Sequence, residues 1–594
     1  MELSTLDWLI IVIYFIFILS VGLYFSKKSG KNLGEYFLSG RNMPWWLLGL
    51  SMVATTFSAD TPNLVTELVR KDGVSGNWAW WAFLITGMIT VFIYSKLWRR
   101  SMVLTDIEFY ELRYSGNIAK FLRGFRALYL GLVFNVLVMG AVSLAAIKFG
   151  EIILGLEGWQ TLLIAGSITM LYSYLGGLKA ILITDFVQFS LAMIGSIWAC
   201  IYLVNLEEVG GVTNLLSHPN VSGKLNFFPE MNNPSVYVPV LLIPLAVQWW
   251  ASYYPGAEPG GGGYIAQRMF SAKNEKNAVG ATLLFNVAHY ALRPWPWILI
   301  AFVSLVIFPE VTDIQSVFPN VDPAKLGEDT AYPAMLSYLP AGLLGLVAAS
   351  LIAAFMSTMS TQMNLGASYL VNDFYKRFIN PSASENQLVY YARLFTLISG
   401  VLGMLLGLML TSAKNAFDLL LVVGAGTGLI FIVRWFWWRI NAISEIVAMI
   451  ASIIVASSFL IYNNSTTDKI DSWKVLCIGT GITTLSWILT ALFTKPTDSK
   501  TLLAFYNKIR PSAIGWRGFR AQMKKEGTIL NDYPSSLGLE IILSTFGIIG
   551  VYSALFSVGN LIYKKYTLGI VLGILAISCI SYVIFNIRNK MNVD

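Results

Sequence analysis

Charged side chains are scarce in this chain. Asp, Glu, Lys and Arg make up 12% of its 594 residues, against 56% hydrophobic residues and a mean hydropathy of +0.63. Soluble domains carry about a quarter charged residues, so an ordinary soluble protein is excluded. Cysteine is rarer still. The three cysteines, Cys200, Cys477 and Cys579, all lie in apolar runs, which argues against a disulfide framework or a thiolate metal site. The two histidines, His218 and His289, leave little material for a metal cluster or a nucleophile–base pair, so no enzyme is expected. P-loop, Rossmann and HExxH sequences are absent, and glycines 260–263 lack the strand–turn–helix setting of a phosphate cradle. No cofactor is expected. No segment outside the apolar runs is long enough to fold alone.

Long apolar runs are abundant. A bilayer-crossing helix needs about 20 apolar residues. Such windows are predicted near 7–26, 45–66, 78–96, 124–150, 159–177, 180–204, 236–254, 276–308, 341–372, 386–411, 414–434, 441–462, 472–492, 536–558 and 566–587. The first reads as a helix rather than a cleaved leader, because basic residues follow it and no small-residue cleavage site precedes the next segment. Lys and Arg concentrate in alternate loops, among them Lys96, Arg113 and Arg126 after the third run, Arg268 after the seventh and the loop 493–535, which places the N-terminus outside, the C-terminus inside and the chain in a cell membrane. That asymmetry accounts for the net charge of +8 without a nucleic-acid partner.

Two of the runs are interrupted. One reads Ser58-Ala59-Asp60-Thr61-Pro62. The other breaks at Tyr253-Tyr254-Pro255-Gly256-Ala257-Glu258-Pro259 and enters four glycines. Lipid supplies no hydrogen bonds to freed backbone and disfavours a buried carboxylate. Paired interruptions of this kind mark the discontinuous helices around the midplane site of secondary transporters.

Four stretches carry a resemblance. Gly176-Gly177-Leu178-Lys179-Ala180 followed by Thr184-Asp185-Phe186-Val187-Gln188 resembles the GG-x-KA…TD-x-x-Q stretch of the sodium/solute symporter family, which includes the sodium/glucose cotransporters. Gln267-Arg268-Met269-Phe270-Ser271-Ala272-Lys273 is similar to its QR-x-x-(S/A)AK loop. Phe355 to Thr361, ending in Asn372-Asp373-Phe374-Tyr375, resembles its Ser-rich ion-site helix. Glu35 to Arg41 with Pro44-Trp45-Trp46 resembles the entry to its first core helix. The resemblance implies an all-α, leucine-transporter-type core of two inverted five-helix repeats over residues 45–440. A leading helix and loop (1–44) would precede it, and about four extra helices (441–594) would follow.

Sodium wants several hard oxygens, and hydroxyls and freed carbonyls supply them. The hydroxyls of Ser357, Thr358, Ser360 and Thr361 fall within about one and a half turns. The resemblance implies a sodium site of the Ala54, Phe57 and Ala354 carbonyls with the Ser357 and Thr358 hydroxyls. It also implies a second cation site of Asp185, Ser360 and Thr361, and a coupling role for Asp60. Static pairing of Asp60 with Arg293 is the rival reading. The substrate site is expected at Thr61, Trp80, Tyr253, Tyr254, Glu258, His289 and Arg293, converging on one cavity. Thr61, Trp80 and His289 stand where sugar-carrying relatives have glutamine, glutamate and lysine. Intramembrane Arg293 needs an anionic partner, expected in Asp60 or Glu258 rather than in the substrate. Asp418 is a weaker candidate.

The expected function is sodium-coupled import of a small polar organic solute, a sugar or sugar derivative favoured, by alternating access. The alternative is a sodium- or proton-coupled carrier of an amino acid or small carboxylate. A transporter-like sensor is disfavoured, since no output domain is seen. The expected partners are the solute, sodium and the lipid bilayer.

Overall fold

The computed structural model describes residues 3–254, 256–319, 323, 326–410, 426–528, 530 and 536–589. Among them every regular element is helical, and one isolated parallel bridge joins Met43 to Ala272. Apolar composition of period-free runs gives helices buried on several sides, because the bilayer and the protein interior both accept Leu, Ile and Phe.

The leading helix α1 (Thr5–Ser29) is capped by Ser4 and Asp7. Asp7 Oδ1 also accepts from the Gly342 and Gly345 amides at 2.7 and 2.6 Å, pinning α1 to a later helix. Helix α2 (Trp45–Thr56) stops at Phe57, and α3 (Asp60–Asp72) resumes after three non-helical residues. Then follow α4 (Val74–Ser101), α5 (Gly116–Leu154) and the 47-residue α6 (Gly158–Val204). Gly177 splits α6 in two. Its φ of 55° is a left-handed value, and a Cβ there would meet the Tyr36 carbonyl at 2.7 Å, so the turn requires glycine.

Helix α7 (Pro234–Ala251) ends in the second break, and α8 (Gly263–Ser271) resumes after it. Between them Gly256, Gly260 and Gly261 hold φ values of 81°, 77° and 73°, which no other residue adopts cheaply. Then come α9 (Glu275–Ile307), α10 (Leu343–Ile379) and α11 (Glu385–Met409). Two of these helices contain π-turns, over Ala288–Leu292 in α9 and Tyr369–Ile379 in α10. Of the predicted 414–434 run, α12 (Gly428–Val433) is described, and Asp418 lies outside the described residues.

Beyond the core run α13 (Ala442–Ser465), α14 (Ser472–Phe493), the surface helices α15 (Ser499–Ile509) and α16 (Arg517–Lys525), and the hairpin α17 (Leu537–Ile562) and α18 (Tyr566–Asn589). Twelve described helices are long and apolar enough to span a membrane. Splitting α6 at Gly177 and joining α2 to α3 across the break brings the segments into register with the predicted runs. α17 is anchored on the core by the buried Lys96–Glu540 ion pair. Tyr552 donates to the Trp81 carbonyl at 2.9 Å, and Trp295 to the Leu555 carbonyl at 3.1 Å.

Several basic residues counted above as loop charges are not in loops. Lys96, Arg113, Arg126 and Arg268 are all buried. Arg113 lies against Phe505 and Trp516 at 5.3 and 5.1 Å, so aromatic faces replace water around the guanidinium.

Candidate functional site

The first break opens a cavity of about 90 Å³ in the centre of the molecule. Phe57 closes α2 with ψ near 87°, and its amide still reaches the Val53 carbonyl at 2.8 Å. The helix carbonyls just before the break therefore lose their usual amide partners. Thr358 of α10 meets them from the other side: its Oγ1 donates to the Thr55 carbonyl at 2.8 Å. Ala54 and Ala354 are buried beside this junction. The Phe57 ring leaves on the far side and stacks on Trp297 at 5.1 Å, interplanar angle 5°.

One turn away lies a fully buried polar knot. Asp185 accepts from Ser357 Oγ at 2.7 Å and from Ser51 Oγ at 2.5 Å, and Arg268 Nη2 stands 3.6 Å from its Oδ2. The same guanidinium donates to Thr361 Oγ1 at 2.7 Å and to Thr55 Oγ1 at 3.3 Å. Ser360 turns back on its own helix and donates to the Ser357 carbonyl at 3.0 Å. Asp185 and Thr361 thus share a neighbourhood with a guanidinium between them, while the Ser360 hydroxyl is engaged by its own helix and Tyr172. Ser51, Thr55 and Arg268 were not singled out from sequence. Arg268 was legible as part of the QR-x-x motif; the two hydroxyls on α2 carry no signal beyond helical spacing from Phe57.

The expected substrate residues divide. Asp60, Thr61, Trp80, Tyr254, His289 and Arg293 line the central cavity together with Thr358 and Gln362. His289 packs against Trp80 and Tyr290 with centroids 5.5 and 4.4 Å apart. The π-turn over Ala288–Leu292 inserts one residue per turn before Arg293, whose amide bonds the Ala288 carbonyl at 3.3 Å, and Pro294 removes the next donor.

Tyr253 and Glu258 do not reach that cavity, which corrects the expected convergence of all seven residues. Backbone at Ser252 is extended, and neighbouring side chains on extended backbone face opposite ways. Tyr254 stacks on Phe83 at 5.4 Å beside the cavity, while Tyr253 packs on Phe134 and Phe431 at 5.5 and 5.7 Å. Glu258 is folded into the glycine turn and borders two smaller cavities.

Arg293 corrects a second expectation. Among the described residues it forms no ion pair with Asp60, Glu258 or any other carboxylate. Its guanidinium lies over Trp297 at 5.3 Å and over Phe57 and Trp80 at 6.0 Å each. Cation–π attraction of this kind is worth about 2 kcal/mol when desolvated and leaves the N–H groups free. Nε and Nη1 of Arg293 and Oδ1 of Asp60 all lack hydrogen-bond partners. An unmet buried polar group costs about 1–3 kcal/mol, so the cavity wall presents a donor and an acceptor that a polar solute can satisfy. Among the described residues no cluster of His, Cys, Asp and Glu is built to hold a metal.

Comparison with known proteins agrees with this fold. The model of the family described as "Sodium:solute symporter family" matches residues 36–454. The sodium/glucose cotransporter of Vibrio parahaemolyticus is 26% identical over 470 residues, covering 76% of this chain and 84% of that protein. Sodium/glucose cotransporter 4 of Danio rerio is 25% identical over 476 residues, covering 74% and 69%. A solved Na⁺-coupled sialic acid symporter, in a substrate-bound outward-open state, superposes with a TM-score of 0.68 at 20% identity. It covers 83% of this chain and 99% of that one, and so shows a common leucine-transporter-type fold. The chain is a multi-pass membrane carrier that couples a solute to sodium, not an enzyme, and it belongs to the sodium:solute symporter family.

Proposed function

We propose that this carrier imports a small polar organic solute, a sugar or sugar derivative favoured, by alternating access. Sodium binds at the Ala54, Phe57 and Ala354 carbonyls and the Ser357 and Thr358 hydroxyls. Solute binds in the adjoining cavity against Asp60, Thr61, Trp80, Tyr254, His289 and Arg293. The observation that carries the reading is the Thr358–Thr55 bond at 2.8 Å, which sets an ion-helix hydroxyl on the broken end of α2 beside that cavity. Sodium at this junction orders the break, and the break forms one wall of the solute cavity. Occupancy of one site therefore raises affinity at the other. The membrane potential adds about 2.3 kcal/mol per charge per 100 mV, enough to concentrate a neutral solute.

The aromatic wall of Trp80, Tyr254 and Tyr290 suits stacking on a sugar ring. A glucose relative's name comes with these similarities, yet Thr61, Trp80 and His289 replace the groups expected for glucose, so glucose is a poor substrate on this reading. One observation favours a second class. Arg293, buried and without a carboxylate partner, is suited to a carboxylate on the solute, as in an acidic sugar or a small carboxylic acid. Thermal stability of the purified carrier against neutral sugars, sialic acids, amino acids and small carboxylates, with and without sodium, separates these classes. Stabilisation by a neutral or acidic sugar only in sodium supports the reading. Sodium-independent stabilisation by the same ligand counts against it.

A further inference from the structure

The second break holds a buried carboxylate that the solute cavity does not use. Glu258 is 5% exposed, and its Oε2 has no hydrogen-bond partner. Two cavities of about 10 Å³ flank it, each with room for no more than one water. On one side stands Asp106, whose Oδ2 accepts from the Gly263 amide at 3.0 Å and whose Oδ1 is unpartnered. On the other side stands Asn286. Its Nδ2 donates to the Thr282 carbonyl at 2.8 Å, and its Oδ1, beside Gly87 in the cavity wall, has no donor. Three buried acceptors therefore meet around one glycine turn; the Tyr369 hydroxyl lies against Asp106, and Glu258 Oε2 is left without a donor.

The neighbouring cations do not supply it. Arg126 lies over Phe431 and Tyr253 at 5.0 and 5.7 Å, and Arg434 is paired with Glu445 at 3.5 Å. Tyr110, Tyr253, Tyr254, Tyr264 and Tyr369 complete the titratable groups around the turn. A sodium ion is disfavoured by the two guanidinium groups in the same wall and by the lack of room for its shell. A proton needs no room, and it converts one carboxylate oxygen from acceptor to donor.

We propose that Glu258 is a proton-binding site, distinct from the sodium and solute sites, which holds one exchangeable proton facing Asp106 and Asn286. Protonated, Glu258 donates to one of these acceptors and the glycine turn stays closed. Deprotonated, it sets a second negative charge beside Asp106, and Arg126 and Arg434, held on aromatic faces and on Glu445, make no hydrogen bond to it, so the turn is loosened. The proton exchanges with water, so no other reactant is needed. The inference stands independently of which solute is carried.

Infrared difference spectra of the full-length carrier in detergent, taken across a pH titration in sodium, test this. The wild type should show the C=O stretch of a buried protonated carboxylic acid. Glu258→Gln should lose it, whereas Asp60→Asn and Asp185→Asn should keep it. Asp106→Asn should keep the band and move its titration midpoint down by about one pH unit, a tenfold change, because removing the like charge favours ionised Glu258. Should Glu258→Gln misfold, that midpoint carries the test, and an unmoved midpoint overturns the proposal. A band retained in Glu258→Gln overturns it. So does a wild type without the band, whether the site then holds water or, if bound ²²Na⁺ falls by one ion per protein in Glu258→Gln, sodium.

Discussion

The two broken helices solve the same problem at different lengths. The first, between α2 and α3, interrupts three residues and uses no glycine. Its freed carbonyls are met by a hydroxyl from α10, and its carboxylate Asp60 looks into the central cavity. The second interrupts ten described residues between Ala251 and Gly263 and needs repeated left-handed glycines. Its carboxylate is turned away from the central cavity and into its own turn. A short break leaves its backbone no choice but to face the ion helix. A long one folds on itself and acquires polar business of its own.

The comparison extends to the carboxylates. Asp185 is fully met by Ser51, Ser357 and Arg268, whereas Asp60 keeps one oxygen unpartnered. Their removal should therefore differ most. Asp185→Ala leaves Arg268 buried and uncompensated and should cost about 3–5 kcal/mol of stability. Asp60→Ala should cost much less in stability while crippling uptake. Equal thermal destabilisation of the two variants would erase the distinction.

A smaller effect separates sodium from solute. Ser357→Ala and Thr358→Ala should each raise the sodium concentration for half-maximal stabilisation by about tenfold, equivalent to ~1.4 kcal/mol. His289→Ala should weaken solute binding by a similar factor and leave sodium affinity nearly unchanged. Isotherms of ²²Na⁺ binding on the same variants check both. A His289→Ala protein with weakened sodium and intact solute binding would reverse the assignment.

The smallest effect is expected in a double-mutant cycle. Asp60 and Arg293 form no ion pair but attract across the cavity, so Arg293→Gln should rescue only part of the uptake lost in Asp60→Asn, with a coupling energy of about 1 kcal/mol. Substantial rescue would restore the static-pair reading.

The breaks themselves were legible because a carboxylate beside proline, or a run of glycines, is so poor a choice for a membrane helix. The kink at Gly177 was legible as the end of the 159–177 run, just ahead of the run that begins at 180. The direction of Tyr253 was not, because alternation along an extended break depends on where the helix unwinds. Asp106 was missed: it lies over 150 residues from Glu258, and nothing local marks a carboxylate at a short helix start as the partner of a distant turn. Arg268, Arg113 and Arg126 were read as loop charge, since sequence counts a guanidinium near a span end as solvated. The aromatic faces that accept Arg113 and Arg126 come mainly from other helices.

Uptake into proteoliposomes tests the central claim most directly. With the stabilising solute of the thermal screen in place, an inward sodium gradient should drive accumulation, and replacing sodium by potassium should abolish it. Ser357→Ala should shift the sodium dependence without lowering the amount of protein inserted. Full accumulation in sodium- and lithium-free buffer, driven by a proton gradient alone, would contradict the account.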